Sequence, residues 1–92
     1  MKLQNIKVTG MTSSNGNDVP NQYIIRTSDG KYFQSYETII AFISNNGEVF
    51  LDIEKWNYSA TTGKYRNQFL NEGIKDTRNK IKSGEYKLAK LN

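Results

Sequence analysis

Ninety-two residues suffice for one domain, expected to span residues 1–92, and fall short of two independent cores. The absence of cysteine and histidine excludes disulfide staples, thiolate or imidazole metal ligation, cysteine nucleophiles and the commonest general base, so no catalytic residue, metal or cofactor is expected. Thirteen basic against nine acidic residues leave a net charge of +4, compatible with an anionic partner without diagnosing one.

Residues 3–8 alternate loosely between apolar and polar and predict a first strand. Residues 10–21, rich in Ser, Asn and Gly and holding the only proline, Pro20, read as a loop. A strand over 22–27, a tight turn at Ser28-Asp29-Gly30 and a returning strand over 31–35 follow. The β-branched run 37–44 ends at Asn45-Asn46-Gly47, a second hairpin signal, and 48–52 returns from it. Successive hairpins imply an antiparallel meander.

The period changes near Thr61. Tyr65, Phe69, Leu70 and Ile74 recur on one helical face, and Ser59, Thr61 and Thr62 are good N-cap residues. Gly73 is expected to break this helix, a second helix to cover 76–83, and Ser83-Gly84 to stop it. Residues 85–91 alternate again and predict an edge strand whose Lys87 and Lys90 discourage pairing with other chains. The fold class is therefore α+β: an antiparallel sheet of four to five strands, made of the N-terminal meander and the C-terminal edge strand, covered by one or two C-terminal helices. The longest apolar stretch, 38–43, is far too short to span a membrane, and the first residues lack the apolar run of a signal peptide. A soluble intracellular chain is expected.

One segment concentrates groups suited to ligand binding. Between 56 and 67, Trp56 and Tyr58 would stack a base, while Ser59, Thr61 and Thr62 would offer hydroxyls beside a helix N-terminus. Lys64 adds a point charge, Arg66 a bidentate fork and Asn67 an amide. Helix capping and packing would explain the same residues without a ligand. Lys75, Arg78 and Lys82 form one helical stripe, an alternative nucleic-acid contact, although Asp76 stands at pairing distance from Lys80 and a solvated face is the simpler account. Asp52 and Glu54, two apart after the fourth strand, would face one side as a metal or acid–base pair, or simply be exposed. Of the strand aromatics Tyr23, Tyr32, Phe33, Tyr36, Phe42 and Phe50, most are expected in the core.

Three runs carry a resemblance. They are Gly-Lys-Tyr-Phe-Gln-Ser-Tyr-Glu-Thr-Ile-Ile-Ala at 30–41, the stretch 56–70 with its Tyr58-Ser59-x-Thr61-Thr62-x-Lys64-Tyr65-Arg66-Asn67-x-Phe69-Leu70 pattern, and the close Ile-Lys-Ser-Gly-Glu-Tyr at 81–86. Over roughly 20–92 the chain resembles a family of small, uncharacterised tailed-phage proteins. The resemblance implies a phage or prophage origin and the cytoplasm of an infected bacterial host; the family lends no activity and no site residues. The function expected is a non-enzymatic accessory protein that counters a host defence system by sequestering a phosphorylated small molecule such as a nucleotide immune signal. A protein-surface inhibitor of a host defence effector or nuclease is the second reading, and a small RNA- or single-stranded-DNA-binding protein the third. No membrane partner is expected, and a homo-oligomer would help to enclose a small ligand.

Overall fold

The computed structural model describes residues 6–92. A six-stranded sheet forms one layer and two helices the other. Strands β1 (Lys7–Thr12), β2 (Asp18–Thr27), β3 (Gly30–Ser35), β4 (Thr38–Ser44) and β5 (Val49–Asp52) form an antiparallel meander in chain order. Helices α1 (Ala60–Leu70) and α2 (Ile74–Ser83) then cross over, so that β6 (Tyr86–Ala89) returns parallel to β5 at the edge. A parallel neighbour needs such a crossover, because a tight turn can only reverse the chain. The sheet thus has six strands where four to five were expected, and its last pair is parallel.

Most of the run read as a loop, 10–21, is strand. The Ser- and Asn-rich run holds only a short connection over 13–17; β1 extends to Thr12 and β2 begins at Asp18. Its composition misleads because Gly10 and Thr12 pair with Tyr23 and Asp18, a shifted register that leaves surplus β2 residues bulged out of the ladder. Met11, inside that run, is buried in the core. The predicted first strand, 3–8, overlaps β1 at Lys7 and Val8; its positions 3–5 lie outside the described residues.

Strand alternation settles which residues meet the helices. Phe33, Ala41 and Leu51 are cross-strand neighbours, fully buried, and Phe33 stacks on Phe69 of α1 with ring centroids 5.7 Å apart. A bulge between Phe33 and Gln34 lets consecutive residues Ile40 and Ala41 both reach the core. The turn between β2 and β3 requires glycine: Gly30 has φ +149, and a Cβ there would stand 2.2 Å from the carbonyl oxygen of Ile43.

Helix α1 starts where its caps dictate. Ser59 is extended and its hydroxyl accepts the Thr62 N–H, while Asn71 closes the helix in the left-handed region. Thr62, Tyr65, Arg66 and Phe69 bury one stripe. Helix α2 begins at Ile74, two residues before the expected start, carries Asp76 in its first turn and Lys80 and Lys82 in its last, and stops at left-handed Gly84. Each charge suits the helix end it occupies.

Candidate functional site

The connection from β5 to α1 is held by two buried polar side chains. Asp52, 2% exposed, accepts the backbone N–H groups of Glu54, Lys55 and Leu91 at 3.2, 2.9 and 2.9 Å. Burial pushes its carboxyl up, but these backbone donors and the Asn92 side chain together outweigh burial and hold it below the usual range. Asp52 is thus committed to the turn, and Glu54 is exposed beyond it. The pair therefore forms no convergent acid–base or metal site.

Arg66 is the second. It is 1% exposed, with Nη1 donating to the Trp56 carbonyl at 2.9 Å and to Asn57 Oδ1 at 3.0 Å. Nη2 donates to Asn67 Oδ1 at 2.9 Å, and the guanidinium lies 5.3 Å from the centre of the Trp56 ring. All of these partners are neutral. Among the described residues only Lys80–Glu72 and Lys87–Glu48 form ion pairs, so the Arg66 charge is buried without a carboxylate. Its Nε has no partner at all. Desolvation, followed by repulsion from Arg78, pulls its pKa down, and Glu72 opposes the shift only through distant attraction.

This guanidinium lines a hollow of about 580 Å³ between the connection, the first turns of α1 and the start of α2. Tyr58, Ser59, Lys64 and Asn67 line it too, and Arg78 reaches it from α2. No acidic side chain lines the hollow, and the first turn of α1 contains none. Gly63 also lines it: a Cβ at that position would sit 3.6 Å from Arg66 Nη2, an ordinary contact distance. The arrangement is electropositive and suited to an anion.

The residues singled out from the sequence therefore divide. Tyr58, Ser59, Lys64, Arg66 and Asn67 are brought together, whereas Thr62 is fully buried and shares a 2.8 Å hydrogen bond with Ser35. Thr61 is exposed outside the lining, and Trp56 is half-buried beneath Arg66. Much of the 56–70 pattern has a structural role: cap, buried hydroxyl, buried guanidinium, and the core residues Tyr65 and Phe69. The family of unknown function DUF8033 matches residues 1–87.

The chain belongs to this family. No curated protein and no solved structure matches it. In this DUF8033 chain the Lys75, Arg78 and Lys82 stripe is exposed on α2, but only Arg78 joins the hollow. Lys80 does not pair with Asp76; it binds Glu72 at 2.7 Å. Glu72, which no sequence signal marked, also accepts the hydroxyls of Thr77 at 2.6 Å and Tyr86 at 2.8 Å, joining the α1–α2 corner to α2 and β6. Burial raises its pKa and these donors more than reverse that. Arg26 is exposed and reaches Thr9 Oγ1 at 3.4 Å. No helix among the described residues is long and apolar enough to cross a membrane.

Proposed function

We propose that this chain is a small, non-enzymatic phage or prophage protein that binds and holds a phosphorylated small molecule in the junction hollow. Its biological role on this reading is to withdraw a nucleotide immune signal from the bacterial host's defence. The observation that carries the reading is the buried Arg66 guanidinium, which lines the hollow without a carboxylate partner. A buried charge is ordinarily paired, and here the missing anion is one a ligand would bring. Lys64 and Arg78 would supply further charge-assisted contacts, the unpaired first N–H groups of α1 would face the same anion, and Tyr58, 44% exposed, offers a ring for a base. Sequestration asks for affinity and stoichiometric expression. It makes no demand for the histidine or cysteine that the sequence lacks.

Thermal-shift titrations with inorganic phosphate, AMP, ADP-ribose, cyclic dinucleotides and short RNA and DNA oligomers, at low and high salt, test this proposal. A ligand present at about 100 times its Kd stabilises by about 2.7 kcal/mol, easily seen in a domain of this size. The expected result is a salt-resistant shift by one nucleotide class, lost in Lys64→Ala with Arg78→Ala while the unliganded melt is unchanged. A shift by every oligomer that vanishes in salt would favour nucleic-acid binding instead. No shift with any probe would overturn the ligand reading.

A further inference from the structure

The sheet ends at β1, which among the described residues pairs only with β2. Its outer edge presents backbone N–H and C=O groups without a strand partner, a template for another extended chain. The two faces beside that edge differ in character. On the helix side, Lys7, Arg26 and Lys31 stand directly opposite one another across β1, β2 and β3. Lys31 marks the face, since its ammonium lies 5.5 Å from the centre of the Phe69 ring of α1. Like charges in such a row, on strands about 4.8 Å apart, repel one another. None forms an ion pair with a described carboxylate, and residues 1–5 contain no Asp or Glu. Arg26 leans towards the edge, where its Nη1 donates to Thr9 Oγ1 of β1 at 3.4 Å. A lysine at an edge discourages pairing by itself, but Arg26 and Lys31 lie one and two strands further in, where there is no edge to guard. On the opposite face the edge is apolar and incomplete. Val8 is 57% exposed, and Gly10, opposite Tyr23, leaves a gap in which a Cβ would meet nothing within 4 Å. Tyr23, with Val8 and Ile25, lines a hollow of about 690 Å³ whose one charged residue is Glu37.

We infer that β1 takes up an extended segment of another protein as an added strand, with acidic side chains on the Lys7 face and apolar ones on the Val8 face. Alternation of side chains along a strand makes the two demands compatible. An acidic residue opposite Lys7 would stand about 5 Å from it between Cβ atoms, and Arg26 is turned towards the same edge. Its charge would relieve the repulsion along the row. Three residues along, a bulky apolar side chain opposite Gly10 would cover the gap against Tyr23, as cross-strand aromatic residues do for edge glycines. Glu37 disfavours acids on that face. A nucleic-acid strand would meet the cations but would leave the edge backbone, Val8 and the Gly10 gap unused, so charge and shape together favour a polypeptide. The junction hollow takes no part, and the inference does not depend on what it binds.

Titration of the protein with blocked model peptides, followed by fluorescence anisotropy and by amide hydrogen exchange, tests the inference. The probes are a peptide alternating Glu and Val, a peptide alternating Lys and Val, and a DNA oligomer. At low salt the Glu–Val peptide is expected to bind about tenfold more tightly than the Lys–Val peptide. It should also slow exchange of β1 N–H groups between Lys7 and Thr12. Lys7→Gln and Arg26→Gln should each weaken it about threefold, with Lys64→Ala unaffected. Both side chains are exposed, and removing one like charge from the row should leave the unliganded melt unchanged or higher, which separates weaker binding from unfolding. Absence of binding at millimolar peptide would overturn the inference, as would equal binding of both peptides or binding without protection of β1. Preference for the DNA oligomer over the Glu–Val peptide would overturn it in favour of nucleic acid. Protection of β1 that rises with protein concentration alone would overturn it in favour of a second copy.

Discussion

Arg66 and Gly63 lie one helical turn apart, and a Cβ on Gly63 would stand 3.6 Å from Arg66 Nη2. Replacing Gly63 by alanine should raise the melting temperature, since an alanine inside a helix is favoured over glycine by about 1 kcal/mol and the new methyl would make only ordinary contact. The same methyl would narrow the hollow beside the guanidinium, so Gly63→Ala should bind a nucleotide probe less tightly while melting higher. A stability gain with unchanged affinity would place the anion elsewhere. Gln22 shows the opposite imbalance: it is fully buried, and neither its amide nitrogen nor its carbonyl oxygen has a partner. Unsatisfied buried polar groups cost about 1–3 kcal/mol, so Gln22→Leu should increase the denaturant midpoint without altering m. A loss of stability there would reveal a bound water that the leucine displaces.

Between elements, the connection from β5 to α1 relies on caps more than on apolar packing. Ser59 is the clearest case, because its hydroxyl satisfies a backbone N–H that the helix itself cannot. Ser59→Ala should cost about 1 kcal/mol in chemical denaturation, and Ser59→Asp should restore most of it. Thr62 differs in kind: it joins α1 to β3 through Ser35 inside the core, so its hydroxyl is structural although it sits one residue from the lining of the hollow. Glu72 performs the corresponding task at the other corner, gathering Lys80, Thr77 and Tyr86 on one carboxylate.

For the molecule as a whole, Asp52 and Glu72 link stability to pH. Both carboxyls are held below their ordinary values of 3.8 and 4.5 in the folded chain, so their contribution is complete above that range. It disappears as pH falls through their folded values, when the unfolded chain binds the protons first. Denaturant midpoints measured at successively lower pH should therefore decline below about pH 4.5, and more shallowly in Asp52→Asn and in Glu72→Gln. Equal slopes in parent and variants would show that other carboxylates govern acid unfolding.

Local chemistry in the sequence determined the hairpin turns, the N-cap of α1, the break near Gly73 and the stop at Gly84, because each depends on neighbours a few residues apart. It also pointed to the junction as a gathering of hydroxyls and cations. Only the tertiary structure decided the rest. Composition concealed how far β1 and β2 extend towards 13–17, since a bulged register lets polar residues occupy a ladder whose partner lies far along the chain. Of the six strand aromatics assigned mainly to the core, Phe33 alone is buried there; Tyr23, Tyr32, Tyr36, Phe42 and Phe50 lie outside it. Alternation requires Tyr32 and Phe33 to face opposite ways, but which face receives the helices depends on where the β5–β6 crossover packs. Arg66 likewise reads from sequence as an exposed fork. Its burial, and the hollow it shares with Arg78, arise only when α1 and α2 fold back over the connection, a contact between residues that no short-range period relates.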